Sequence, residues 1–120
     1  KARTIVGPII SERCKPELRN HTIETAGVLN KAGVPICICT DHPVVPEQYL
    51  PLSAGLAVRG GLDREEALKA ITIYPAQIAG IADRVGSIEP GKDADIVIFS
   101  GDPLSICDTP DTVIVNGKVI

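Results

Sequence analysis

The sequence predicts an α/β protein in which a parallel sheet comes first and a β-rich segment ends the chain. The run from Pro35 to Cys39 is short, continuously apolar and soon stopped by Pro43, which is typical of a strand buried on both faces. A strand-like segment and a helical pattern precede this run, an order that favours a right-handed parallel crossover. From Gly86 onward, short apolar runs alternate with turn residues, as in small antiparallel sheets.

The first predicted strand runs from Thr4 to Ile10 and is interrupted by Gly7-Pro8, a pair that ends or bends a strand. The next segment, from Ser11 to Arg19, is polar and charged and contains a proline. We therefore expect it to be a loop on the side of the sheet that carries the site.

A helix is predicted from Asn20 or Thr22 to Lys31, because apolar residues recur on one face and Gly33 provides a stop. His21 lies at the start of this helix. A capping or exposed histidine is favoured there over a metal ligand, which would have to reach the site from a helix N-terminus.

The central strand carries the candidate site. Because side chains alternate along a strand, the pattern places Cys37, Cys39 and Asp41 on one side, opposite the branched residues. If the strand belongs to a barrel, Asp41 is its last inward residue at the mouth, where a metal ligand or general base would lie. The alternative is that Asp41 only caps the turn before a proline-rich loop. The residues alone leave both possibilities open.

Three further helices are predicted. The first runs from about Glu47 to Arg59 and is followed by a Gly-Gly pair. In the second, Asp63 is the N-cap and Glu66 its capping-box partner. The third has Pro75 in its first turn and ends near Gly80.

The end of the chain is predicted to be β-structure. Strands are expected at Ser87-Ile88, from Asp95 to Phe99 and from Thr112 to Val115. Asn116-Gly117 between apolar runs is a strong hairpin signal and leads into a last strand that ends at Ile120.

Composition excludes several classes of function. A net charge of -3, a pI near 5.3 and 2% aromatic residues give no basic surface and few stacking side chains, so nucleic acid is not an expected partner. No apolar run approaches the roughly 20 residues of a membrane span, and we expect no signal peptide. We expect a cytoplasmic protein without membrane association.

The four cysteines could form a metal site or disulfide bonds. A soft-metal site would need Cys37 and Cys39 together with Cys14, but the Cys-x-x-Cys spacing of such sites is absent. A disulfide framework is disfavoured because the cysteines are few and two of them lie in an apolar run. Free thiols that pack as small apolar side chains are the favoured interpretation, for these three and for Cys107.

Several segments together resemble a known family. Thr40-Asp41-His42-Pro43 is followed by Glu66–Thr72, by Pro75-Ala76 and by the segment from Gly86 to Val97. In this order the segments resemble the C-terminal part of amidohydrolases, in particular the imidazolonepropionase-like branch. The family commonly has Asn before the proline, where this chain has Tyr74, which removes one capping group.

The resemblance implies a specific architecture. Residues 1–84 would be the last βα units of a TIM-type (β/α)₈ barrel, and residues 85–120 would be part of a small composite β-sandwich. At 120 residues the chain is shorter than the roughly 200 that a full barrel needs, so we expect it to be one portion of such an enzyme.

The resemblance also implies a chemistry. Asp41 would be both a metal ligand and the catalytic proton shuttle, and His42 would lie on the substrate side or contact another metal ligand. The complete enzyme would use a divalent metal, expected to be zinc, to hydrolyse a C–N bond of a small molecule. We expect the isolated chain to be metal-free, inactive and a homo-oligomer. The alternative is a degenerate relative without catalytic activity.

Overall fold

The computed structural model describes residues 3–13 and 15–120. In these residues a two-stranded sheet and a three-stranded sheet are accompanied by four α-helices and two short 3₁₀ turns. In chain order the elements are β1 (Thr4–Val6), α1 (Thr25–Lys31), β2 (Ile36–Ile38), α2 (Leu50–Arg59), α3 (Arg64–Ala70), α4 (Ile73–Ala79), β3 (Ile96–Ile98), β4 (Thr112–Val115) and β5 (Lys118–Val119). None of the described helices is long and apolar enough to cross a membrane.

The first sheet pairs β1 with β2 in parallel, as the strand–helix–strand order predicts. Ile5 lies opposite Cys37, and the ladder is extended at its end by the Cys39 amide, which donates to the Val6 carbonyl over 3.0 Å. The connection between the strands runs through α1. A parallel pair needs such a crossover, so local helix signals and strand pairing agree.

The core lies between this sheet and the helices. Ile36 and Ile38 are 1% and 3% exposed and pack with small residues of α1, α2 and α3. Alanines at these contacts let the helices approach the sheet closely: Ala26, Ala54, Ala57, Ala67 and Ala70 are all buried. The branched side of β2 therefore packs under the helices.

Helix α1 begins later than predicted. It starts at Thr25, because Thr22 closes a separate turn by accepting from the Glu24 amide with its hydroxyl. Its end at Lys31 is as predicted. Gly33 has φ +72°, and its amide donates to the Asn30 carbonyl over 2.8 Å. A glycine fits this left-handed position at little cost.

The three later helices also follow their local signals. A 3₁₀ turn at Glu47–Tyr49 leads into α2, which covers the rest of the predicted segment. The Asp63 side chain caps α3 by accepting from the amides of Glu65 and Glu66. The reciprocal half of the capping box is not formed, since the Glu66 carboxylate binds other groups.

The second sheet is antiparallel in the order β3-β4-β5. Asn116 and Gly117 both have positive φ, +49° and +75°, as a type I′ hairpin turn requires. The strand predicted at Ser87-Ile88 is wrong: this segment is a bend, and Ile88 is 81% exposed. It pairs with no described strand, so its apolar residue is not held in a ladder.

The loop after β3 fastens the second sheet to the helices. Leu104 is 7% exposed and belongs to the main core. Its carbonyl oxygen would lie 2.3 Å from a Cβ at Gly55, so only glycine allows this approach to α2. Beside it, Arg64 and Asp102 form two hydrogen bonds of 2.6 Å, and Asp102 also accepts from the Leu104 amide. One buried side chain and one bidentate ion pair therefore anchor this loop.

Candidate functional site

Asp41 lies just past the carboxyl end of β2, in a turn rather than in the strand. Its φ is +55°, and its carbonyl accepts from the Val44 amide over 2.8 Å. The strand ends at Ile38, so side-chain alternation does not reach Asp41, and the prediction that it is the last inward strand residue is corrected. Aspartate tolerates this left-handed conformation better than most residues, because its short side chain can bond locally.

The Asp41 side chain is exposed, whereas Thr40 beside it is 7% exposed. Among residues 3–13 and 15–120, no group forms a hydrogen bond or ion pair with the Asp41 carboxylate. The turn is closed by backbone bonds, so within the described residues the carboxylate does not act as its cap. A left-handed non-glycine residue with an unengaged carboxylate at a strand end is a reason to look for function.

His42 follows Asp41 and is also exposed. It precedes Pro43 in the turn that leads to the buried Val45. The two neighbouring side chains, one carboxylate and one imidazole, are therefore both open to solvent at the carboxyl end of β2. Ligands of parallel sheets bind at this end of the strands.

The end of β1 lies against the end of β2. A Cβ at Gly7 would be 2.1 Å from the Cys39 carbonyl oxygen, so no larger residue fits there. The next carbonyl, that of Pro8, lies 2.9 Å from His21 Nε2. A carbonyl only accepts, so Nε2 carries the proton and cannot use a lone pair to bind metal. His21 is half-buried and bridges two loops, a role that its position at a predicted helix start did not suggest.

The described residues do not form a metal site of their own. No group of three or more His, Cys, Asp or Glu side chains converges within the described ranges. Burial, and secondarily the neighbouring Cys39, raises the pKa of the Cys37 thiol, which disfavours the thiolate that a metal requires. The Asp41 carboxylate could supply one ligand, and tight sites need three or four. Cys37, Cys39 and Cys107 carry free thiols, and the predicted role of Cys14 lies outside the described residues.

A second polar cluster lies at the opposite, amino end of the strands. Here the Glu66 carboxylate accepts from Lys69 Nζ at 2.9 Å, from the Tyr74 hydroxyl at 2.8 Å and from the Asn30 amide at 3.3 Å. It borders a cavity of about 330 Å³ whose wall includes Arg3. Tyr74, which stands where the family commonly has a capping Asn, thus joins α4 to α3. The i,i+3 spacing of Glu66 and Lys69 was visible in the sequence, but the tyrosine and asparagine contacts were not.

Two of the pKa shifts in this cluster bear on the hydrogen bond between Glu66 and Tyr74. The bond from Lys69, followed by that from Tyr74, holds the pKa of Glu66 below its usual range. Burial and the bond to Glu66 raise the pKa of Tyr74. Both shifts favour an ionised glutamate that accepts from a neutral phenol, so the cluster stabilises the packing of α1, α3 and α4.

Glu66→Gln should lower the free energy of unfolding by at most about 1 kcal/mol at neutral pH, because it removes the charge that Lys69 binds and solvent screens this partly exposed pair. A carboxyl whose pKa is lowered on folding stabilises above its unfolded pKa of about 4.3, and that contribution is lost as pH falls through the folded value. Urea unfolding should therefore show the wild-type advantage shrinking as pH falls below about 5. Glu65→Gln, at the exposed neighbouring position, is the matched control. If the stability difference between wild type and Glu66→Gln stayed the same in acid, this role of the Glu66 charge would be contradicted.

Most of this chain is similar to known proteins. The amidohydrolase family profile matches residues 6–120. An imidazolonepropionase from Geobacillus kaustophilus is 47% identical over 72 residues, which are 58% of this chain and 17% of that protein. The crystal structure of an amidohydrolase from Thermotoga maritima has a TM-score of 0.92 at 42% identity and covers 98% of this chain and 31% of its own.

A Xaa-Pro dipeptidase structure with methionine bound in its active site is also similar, with a TM-score of 0.73 at 27% identity over 84% of this chain and 26% of its own. The chain spans between 10% and 23% of the length of the curated relatives it matches. In these three comparisons the similarity covers between 58% and 98% of this chain and a minor part of each relative.

Proposed function

We propose that this chain, which belongs to the amidohydrolase family, supplies a catalytic carboxylate, Asp41, to a metal-dependent enzyme that hydrolyses a C–N bond of a small molecule. One observation carries the proposal: the Asp41 carboxylate is exposed and unengaged by described residues at the carboxyl end of a parallel strand. The similarity to an amidohydrolase, an imidazolonepropionase and a dipeptidase supports an amide or cyclic amide as the bond cleaved.

The proposed setting is the end of a (β/α)₈ barrel. In this arrangement β1 and β2 are its last two strands, within residues 1–84, and β3 to β5 belong to a composite β-sandwich within residues 85–120. Ile5, on the side of the sheet away from the helices, is 59% exposed. An apolar side chain in that position suits a barrel interior that other strands complete.

The proposed reaction adds the OH of water to the carbonyl carbon and a proton to the leaving nitrogen. Asp41 accepts the proton as the water attacks and delivers it to that nitrogen as the C–N bond breaks. A divalent metal, expected to be zinc, polarises such carbonyls and lowers the pKa of water when bound. The described residues supply one suitable metal ligand. The remaining ligands are therefore proposed to lie in other parts of the enzyme. His42, adjacent and exposed, is proposed to face the substrate or a metal ligand.

The second candidate is a chain that folds as an amidohydrolase portion but takes part in no catalysis. It is favoured by the lack of a converging ligand set within residues 3–13 and 15–120. The two candidates differ in whether Asp41 meets further ligands in the complete protein.

The test uses the complete protein that contains this chain. Its turnover of N-acyl amino acids and cyclic amides is measured as purified, after chelation, and after addition of zinc. The proposed enzyme loses activity on chelation and regains it with metal. Metal-loaded protein that cleaves neither class would favour the non-catalytic candidate.

The isolated chain is proposed to be inactive and to self-associate. In the described residues β1 and β2 pair only with each other, so each leaves an open edge, and apolar side chains such as Val97 and Val28 are half exposed or more. Light scattering after size exclusion should therefore give a mass above that of one chain, and a clean monomer would contradict this.

A cytoplasmic location stays a prediction from the sequence.

A further inference from the structure

We infer that Arg13 recognises an anionic group of the substrate, a carboxylate in particular, so that the enzyme prefers acidic small molecules. This inference rests on the proposed function. It concerns the loop that follows β1, which the sequence predicted to lie beside the site.

The Arg13 guanidinium is held in place by main-chain atoms. Its Nε and Nη2 donate to the carbonyl oxygen of His21 over 3.1 and 2.9 Å. The ring of His21 in turn donates from Nε2 to the Pro8 carbonyl over 2.9 Å. Both ends of the loop are thereby tied together, and the orientation of the guanidinium is fixed by the fold.

The charge of Arg13 is not neutralised by this arrangement. A carbonyl accepts hydrogen bonds but carries no negative charge. The ion pairs among the described residues involve other cations, namely Arg64, Lys69, Arg84 and Lys92. Arg13 is exposed, and about three of its five N–H donors have no partner among the described residues. A guanidinium that is fixed, exposed and unpaired within this part of the chain is well prepared to bind an anion.

The position of the loop brings this charge to the end of the sheet that carries Asp41. Pro8, to which the Arg13–His21 pair is attached, follows Gly7, and Gly7 packs against Cys39, two residues before Asp41. Strands β1 and β2 are parallel, so both loops leave the same edge. Arg13 is therefore linked to the Asp41 turn through a short series of contacts.

A carboxylate is the ligand class that these features favour. The guanidinium presents paired donors that match two carboxylate oxygens, and such charge-assisted bonds are stronger than neutral ones. Arg19 provides a contrast on the same loop. It is also exposed, but its side chain forms no hydrogen bond or ion pair with any described residue, so its charge is not fixed.

The test compares two probes on the complete, metal-loaded protein: an N-acyl amino acid, and the same compound with its carboxylate reduced to a hydroxymethyl group. Binding is measured by calorimetry and turnover by amine release. Wild type should prefer the carboxylate probe, and Arg13→Gln should reduce that preference by about 10- to 100-fold, chiefly in Kd and KM. Arg13→Lys should retain part of it. Arg19→Gln, the matched control, should leave the preference unchanged.

The two readouts separate the inference from the proposed function. Equal binding of the two probes by wild type overturns the inference, and so does an unchanged preference in Arg13→Gln. If Arg13→Gln weakened the binding of both probes equally, Arg13 would only hold the loop in place. That result also overturns the inference. If the carboxylate preference in binding depends on Arg13 but neither probe is cleaved, the inference stands and the proposed reaction fails.

Discussion

Asp41→Asn in the complete enzyme should lower kcat by about 10²- to 10⁴-fold while KM changes only a few-fold, the range for loss of a general acid–base group. Asparagine keeps the size and the left-handed preference of aspartate, so the turn at φ +55° should survive. The carboxylate that takes the proton from water and returns it to nitrogen is removed. Steady-state kinetics on a cleaved C–N substrate measure the effect.

Asp83→Asn is the matched control. Asp83 is exposed and far along the chain from the β2 end, and its side chain has no hydrogen-bond or ion-pair partner in the described residues. Its substitution should leave kcat within about twofold of wild type, as expected of a surface change. An Asp41→Asn enzyme within about tenfold of wild type would show that Asp41 does not carry the proton.

Leu104→Ala should lower the free energy of unfolding by about 2 to 5 kcal/mol, as is typical of a buried leucine truncated to alanine. Leu104 is 7% exposed and joins the loop after β3 to the core that contains Ile36 and Ala54. Its removal leaves a cavity at the contact between the second sheet and α2. Urea unfolding followed by far-UV circular dichroism provides the measurement.

The control for this prediction lies two residues away. Ile106 is 76% exposed, so Ile106→Ala removes a similar apolar volume from the surface and should change stability by less than about 0.5 kcal/mol. Similar losses in the two variants would contradict the role of Leu104 as the anchor of this loop. An intact Leu104→Ala protein with wild-type stability would contradict it as well.

The parts of the fold that local residues determine were predictable. The apolar run that became β2, the stop at Gly33, the Asp63 cap and the Asn116-Gly117 turn each depend on residues within a few positions. Parallel pairing followed from the order strand, helix, strand, because the handedness of such crossovers is nearly fixed.

Features that depend on distant residues were not predictable in this way. Strand β2 ends at Ile38, before side-chain alternation can place Asp41. The Ser87-Ile88 sequence favours a strand, but this segment pairs with no described strand. The bond from Tyr74 to Glu66 and the bond from His21 to Pro8 join segments whose approach is set by tertiary packing. Periodicity carries no information about such contacts.

The candidate site, like the fold, was predictable from the sequence only in part. The sequence motif around Asp41 and His42 identified the family, and the family match over residues 6–120 agrees. The roles of the two side chains and the boundary between residues 84 and 85 stay predictions. Catalytic geometry in a barrel is assembled from several strands, and two parallel strands are described in this chain.

We propose that this chain contributes Asp41 to a metal centre whose other ligands lie elsewhere in the enzyme. Zinc content of the isolated 120-residue chain tests it most directly, measured by elemental analysis after equilibration with zinc and dialysis. One carboxylate binds a divalent ion weakly, so the account predicts well below one zinc ion per chain. One tightly held zinc ion per chain would contradict it, because a complete ligand set would then lie within these residues.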